Sequence, residues 1–402
     1  MERERFELEM IVPGRGPKTD LGFLSVEQAA EVCRFHRSCA AYRETPLASL
    51  GHLARRLGVE SIHVKDESFR FGLNAFKALG ASYAAGRYLA QRLGVEPGEM
   101  TFSRAVSPET RTAVGDITFV TATDGNHGRG VAWTARQLGQ KSVVYMPRGS
   151  ALERLENIRA EGARADIIDG NYDQAVRLAR EAADREGWVL MQDTAWEGYT
   201  QIPTWIMQGY MTMGYEMAGQ MEQPPTHLFL QAGVGSMAAA MAGFFANYYG
   251  AHRPMTVVVE PQKANCIFRT ARAGDGKLHP VTGDMDTIMA GLACGEPCTI
   301  GWEVLRDCAD ACLSCPDYAA ADGMRILAAP VPGDGPVVSG ESGASAFGCA
   351  MNLLMDPELA ELKNRLKLNE HSRLLFISTE GATDRRNYRD IVWRGKYSAP
   401  DL

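Results

Sequence analysis

Short apolar runs rich in β-branched residues alternate along this chain with stretches whose apolar positions recur every three to four residues. The short runs predict strands at 61–65, 117–122, 142–146, 165–169, 188–192, 227–231, 256–260, 336–339 and 373–378, most of them bounded by Gly, Pro, Asn or Asp. Among the helical stretches, "SALERLENIRAEG" offers Ser150 as an N-cap with Glu153 three residues on. "DQAVRLAREAADREG" places Ala175, Val176, Leu178, Ala179 and Ala182 on one stripe, with Gly187 after the last turn. Strands apolar on both faces, alternating with helices, predict the α/β class with parallel sheets covered by helices. Nine strands in 402 residues suit two domains, each an open, mostly parallel sheet flanked by helices. A seam is expected at "GQMEQPPTH", where Pro224 and Pro225 interrupt the pattern, and there is no internal repeat.

Composition narrows the classes. With 45% hydrophobic and 23% charged residues the balance is that of an ordinary globular protein. A net charge of −7 gives no electrostatic support for a nucleic-acid partner or an anionic membrane. No apolar run reaches the ~18 residues of a spanning helix, and the start "MERERFELEM" lacks an apolar signal core. The cytoplasm is the expected location. Nine cysteines in so long a chain do not make a disulfide framework. Cys312-x2-Cys315 has the spacing of half a zinc site, but Cys308, Cys312 and Cys315 also follow the i, i+4, i+7 spacing of one helix face. The helical reading is preferred and no metal is expected. His36, His52, His63, His227, His252, His279 and His371 form no spaced ligand set and read as structural.

The chemistry concentrates in one lysine and three loops. Lys77 sits in "SFRFGLNAFKALGASYAAGRYLA", between Phe76 and a run of small residues, where an ammonium is expensive to desolvate. "TATDGNHGRGVAW" (121–133) leaves a strand and opens a helix, crowding Asp124, Asn126 and His127 into a turn between glycines. The plain alternative is a helix start capped by Asp124. "HLFLQAGVGSMAAAMAGFF" (227–245) carries Gly233-x-Gly235-x-x-Ala238 after a strand, with Glu260 ending the next one. This nearly matches a dinucleotide fingerprint, yet its physics, a backbone nest at a helix N-terminus, suits any phosphate. "LFISTEGATD" (375–384) ends a strand in Ser378 and Thr379, followed by Glu380 and Gly381. A phosphate nest together with a lysine in apolar surroundings suggests pyridoxal 5′-phosphate (PLP), which takes up a lysine as a Schiff base.

"AFKALGA", "DGNHGRG" and "AGVGSM" resemble the cofactor-lysine motif, asparagine loop and phosphate loop of fold-type II PLP enzymes, the tryptophan synthase β-like family. A closer resemblance, to the diaminopropionate ammonia-lyase family, rests on Lys65–Lys77, "TATDGNHGRGVAW", Gln192–Tyr210, Ile288–Pro297, "SGESGA" (339–344) and "STEGATD", and runs from about residue 61 to 394. That family often has Gly-Asp-Thr-Asp where this chain has Gly381-Ala382-Thr383-Asp384. The resemblance implies a fold-type II architecture with the cofactor in the cleft between two domains. Residues 43–77 and 226–402 would form the large PLP-binding domain; 1–42 and 78–225 would form the small domain carrying the asparagine loop. It implies that Lys77 holds PLP and shuttles a proton, that the amides of Gly233, Val234, Gly235, Ser236 and Met237 hold the phosphate, and that Asn126 bonds the pyridine 3-oxygen. Ser378 or Thr379 would face the ring nitrogen.

Asp124 is then the informative acid, since related dehydratases usually carry a small neutral residue there. A carboxylate beside Cα attracts the second amine of 2,3-diaminopropionate and can act as a base opposite Lys77, one base per enantiomer. Asp193 is a second candidate, for which capping after a strand is an equally good reading. The implied activity is α,β-elimination of 2,3-diaminopropionate, D and L, to pyruvate and two ammonia, by a homodimer. The alternatives are a serine or threonine dehydratase-type PLP lyase, a nicotinamide oxidoreductase built on Gly233-x-Gly235, and a catalytically dead binding module. Cys266 and Cys294 flank the segment before "GLACGEP", and the sequence leaves their pairing open.

Overall fold

The computed structural model describes residues 5–12, 18–123 and 125–399. Among the described residues eleven strands form two sheets. In chain order they are β1 (Glu7–Met10), β2 (Leu47–Ser49), β3 (Ser61–Asp66), β4 (Thr118–Ala122), β5 (Lys141–Met146), β6 (Arg164–Ile167), β7 (Val189–Leu190), β8 (His227–Gln231), β9 (Met255–Pro261), β10 (Ala311–Cys315) and β11 (Arg373–Ser378). The larger sheet has the order β1-β10-β9-β8-β11-β3-β2 and the smaller one β6-β5-β4-β7. Only the two edges of the larger sheet are antiparallel, β1 on β10 and β2 on β3. The central strands are buried on both faces, as their unbroken apolar runs require. No helix among the described residues is long and apolar enough to cross a membrane.

Four expectations are corrected. Residues 336–339 form no strand: Val338 is exposed, and Val337 is held by a single amide bond to Leu327. Cys312 and Cys315 lie on β10 rather than on a helix with Cys308, which ends the helix Thr299–Cys308. A strand covered on both sides shows no period-2 alternation, so the cysteine spacing imitated a helix. β1, expected with the smaller unit, pairs with β10 in the larger sheet. Ser150 does not cap the helix Leu152–Ala160; its hydroxyl turns to the Pro147 carbonyl, and Ala151 occupies the cap position. The helix Tyr172–Glu186 is built as the pattern predicts, with an Asn171–Gln174 capping box and Gly187 in the left-handed region. All nine cysteines are described and none forms a disulfide.

Two features fix the segment that leads to Lys77. A buried ion network joins β3 to the helix Gln201–Gln220: Lys65 lies 2.7 Å from Glu216, and Arg70 bridges Glu67 and Glu216 at 2.7 and 2.8 Å. Thr45 donates to Glu67 at 2.6 Å. Four charges sealed from water are tolerable only because each is paired; removing one partner from such a set typically costs about 3–5 kcal/mol. The second feature is the close crossing of the helices Ala78–Leu93 and Gln201–Gln220. A Cβ on Gly209 would lie 2.5 Å from the Leu79 carbonyl oxygen, and one on Gly80 would lie 2.6 Å from the Tyr210 ring. The small residues after Lys77 therefore serve helix contact, and they bring Tyr210 beside the lysine.

Candidate active site

A cleft lined by loops of both sheets holds most of the candidate residues. Lys77 enters it as the residue immediately before the helix Ala78–Leu93. Its lead-in is tied to the third loop: Gly381 donates to the Asn74 carbonyl at 3.0 Å, and Phe76 donates to the Thr379 carbonyl at 3.2 Å. The Lys77 ammonium donates to Asp193 Oδ2, so Asp193 is an ionic partner rather than a helix cap. Burial pushes the Asp193 carboxyl up, but His127 and Lys77 outweigh it and hold the group down to about 2. Asp193 is therefore charged at every working pH, which answers the desolvation problem of Lys77.

His127 completes this corner. Its Nε2 must donate to the Met191 carbonyl at 2.7 Å, because a carbonyl only accepts. In the neutral ring Nδ1 is then a bare acceptor, and it lies 3.7 Å from Asp193 Oδ2. Burial lowers the His127 pKa first, Lys77 adds to that, and Asp193 opposes it.

The opposite wall is the loop after β8. Gly235 adopts φ +97°, a left-handed geometry costly for any side chain, and a Cβ there would also press on Ile267. It heads the 14-residue helix Ser236–Tyr249 with no side-chain cap, so the first amides face the cavity without a local acceptor. Gly233, Val234, Ser236 and Met237 line the same wall, and Ser236 donates to the Asp193 carbonyl at 2.6 Å, joining the nest to the Lys77 partner. Glu260, the acid of the supposed dinucleotide fingerprint, is corrected to a structural role. It is fully buried and accepts from Ile267 N and Phe268 N at 2.9 and 2.6 Å, far from any ribose role.

The third wall carries the two candidate hydroxyls. Thr379 lines the cavity, where its Oγ1 accepts from Gln231 Nε2 at 3.0 Å and keeps its own proton to donate. The Ser378 hydroxyl is fully buried and donates instead to Ser339 Oγ at 2.8 Å. Asn126 lines the cavity and donates to Glu380 Oε2. Glu380 also accepts from Thr383 Oγ1 at 3.1 Å and Ser342 N at 3.2 Å. Behind it, Glu341 is pushed up to about 7, by burial first and then by Glu380. Asp124 lies outside the described residues.

The lysine, its paired acid, the anion nest and Thr379 thus meet in one cavity, as the sequence suggests. The sequence names His127 and Glu380 inside the loops without a role, and Tyr210 only as the end of a resembling block. Gln231 ends a predicted strand, and Tyr210 lies in a mostly buried helix whose pattern does not mark it. Among the described residues no group of three or more His, Cys, Asp or Glu side chains is arranged to hold a metal ion.

An amine, an uncapped helix N-terminus and a permanent anion facing one cleft between parallel sheets define an enzyme that works with a phosphorylated carbonyl cofactor. The chain belongs to the pyridoxal-phosphate dependent enzyme family, whose model matches residues 39–376. It is 53% identical over 386 residues to the diaminopropionate ammonia-lyase of Salmonella typhimurium strain LT2, covering 95% of this chain and 96% of that protein. Two solved structures of the Escherichia coli diaminopropionate ammonia-lyase each cover 99% of both chains at 44% identity. One, in complex with D-serine, has a TM-score of 0.92; the other, in complex with an aminoacrylate-PLP azomethine reaction intermediate, has 0.90. The fold is that of the fold-type II PLP enzymes.

The residues present fit that cofactor. Its phosphate matches the nest that a Cβ at Gly235 would disturb, and its aldehyde matches the reach of Lys77. Thr379 would offer the ring nitrogen a donor, and the Asn126 amide, which Glu380 orients, would offer its second N–H to the 3-oxygen.

Proposed function

We propose that this chain eliminates ammonia from 2,3-diaminopropionate, D and L, giving pyruvate and two ammonia. PLP, when bound, supplies an electron sink for the carbanion at Cα. The amides of Gly233 through Met237 bind the phosphate, Asn126 and Thr379 orient the ring, and Lys77 carries the cofactor and moves the Cα proton on its own side. Asp124 is assigned the second base and the attraction for the β-ammonium. Asp193 keeps the Lys77 amine in place and adds to the negative field that favours a diamine over serine or threonine. The β-amine leaves as ammonia; the released aminoacrylate takes up water and loses its nitrogen as the second ammonia.

The observation that carries this reading is the Lys77–Asp193 ion pair facing the Gly233–Met237 nest in one cavity. The high identity to a diaminopropionate ammonia-lyase over nearly the whole chain supports the substrate. We read the chain as a large unit of residues 43–77 and 226–402 and a smaller one of 78–225, with the cofactor between them, acting as a cytoplasmic homodimer. Keto-acid release from 2,3-diaminopropionate, compared with serine and threonine, tests the proposal.

A further inference from the structure

Tyr210 carries, beside Lys77 and Phe76, a polar group with no role so far. It is completely buried, and among the described residues its hydroxyl has no full hydrogen-bond partner. An orphaned buried hydroxyl is costly, so a phenol kept where phenylalanine would pack equally well calls for a reason. Its ring packs on Phe76 at 4.8 Å between centroids. The Lys77 ammonium lies 6.0 Å from the Tyr210 ring centre and 5.5 Å from that of Phe76. Burial raises the phenol's pKa first, while the charge and hydrogen-bonding reach of Lys77 pull against it. Gly80 and Gly209 are what permit this approach: a Cβ on Gly80 would overlap the Tyr210 ring.

We propose that Tyr210 is a positioning residue which, with Asp193 and the Phe76 ring, forms a built seat for the Lys77 ammonium whenever that amine is not bonded to the cofactor. The inference rests on the proposed function. Asp193 supplies one acceptor and the Tyr210 oxygen is the second, and the Phe76 and Tyr210 rings lie beside the charge. The seat keeps the amine beside the cofactor while substrate occupies it, so that Lys77 returns from one fixed place. When PLP is given back to the cofactor-free chain, Lys77 would give up a proton and add to the aldehyde carbon, with water as the leaving group.

Among the described residues the groups facing this amine are Asp193, His127, Tyr210 and, through the first and third of these, Cys298. Asp193 stays ionised and His127 titrates below its ordinary range, so neither changes charge above neutral pH. The test uses the full chain freed of PLP with hydroxylamine and then given PLP back, with the return of yellow absorbance timed across pH. Tyr210→Phe removes one acceptor of the ammonium, so its midpoint is expected to move to lower pH by about one unit. An unmoved midpoint with a raised melting temperature overturns the proposal, because the hydroxyl is then only an orphan. Should the phenylalanine variant not fold, 3-fluorotyrosine at position 210, a weaker acceptor, must shift the midpoint the same way or the proposal fails. A wild-type chain that regains no colour overturns the cofactor reading itself, which distinguishes the two failures.

Discussion

Lys77 and Asp193, 116 positions apart in the chain, meet in an ion pair inside the cleft, and each accounts for the other's burial. Either group alone would be driven toward its neutral form by its surroundings. Together they keep an ammonium and a carboxylate charged at the place where a cofactor aldehyde has to be met. The rest of the site is arranged around this pair: Ser236 ties the anion nest to the Asp193 backbone, and the 379–381 loop holds the lead-in to Lys77.

In the proposed function Lys77 is the attachment point of the cofactor. Lys77→Ala is expected to abolish the yellow absorbance of the PLP-loaded protein and to lower turnover by at least about 100-fold. Spectra and initial rates check this together; normal turnover in the variant would remove Lys77 from the chemistry.

The two-base assignment makes an asymmetric prediction. Asp124→Asn should lower turnover of one enantiomer of 2,3-diaminopropionate by about 100-fold while affecting the other far less. Parallel kinetics on the separate enantiomers decide it, and an equal loss on both would leave Asp124 with a shared binding role.

Gly235 combines a positive φ with a crowded Cβ direction. A side chain in that geometry costs about 1–2 kcal/mol, so Gly235→Leu should weaken PLP binding by about tenfold or more. Equilibrium titration with PLP reads the change directly. Unchanged affinity would place the phosphate elsewhere.

Glu341 gives a pH signature. Burial and Glu380 raise its carboxyl from 4.5 to about 7, so the folded chain holds a proton that the unfolded chain has lost. The contribution is fully present below the ordinary carboxylate range and lost as pH rises through about 7. Melting temperature should therefore fall between about pH 5 and pH 8, and Glu341→Gln, which keeps the acceptor for Asn387, should flatten that fall. Parallel curves for the two proteins would contradict this.

What was legible in the sequence followed local rules. The central strands of both sheets announce themselves by apolar runs, and the three loops by glycines between a strand and a helix. The cofactor lysine was conspicuous because it broke its surroundings. Three kinds of feature stayed hidden. The edge strands β1 and β2 are short and only half covered, so "ELEM" and "LAS" carry no apolar run. β10 is covered on both faces and its cysteines imitated a helix. Side-chain partnerships across the cleft, Lys77 with Asp193 and Asn126 with Glu380, depend on how two sheets are placed, which no local pattern encodes. The surroundings of Ser378 and Thr379 are of this kind as well: adjacent residues at a strand end point to opposite sides, so Ser378 bonds Ser339 while Thr379 bonds Gln231 and lines the cavity.

The most direct measurement counts products from the yellow, purified protein given D- and L-2,3-diaminopropionate beside serine and threonine. The proposed elimination predicts two ammonia for each pyruvate from diaminopropionate, with little keto acid from the hydroxy amino acids. Turnover of serine or threonine alone, one ammonia per keto acid, would contradict it and leave a dehydratase built on the same PLP fold.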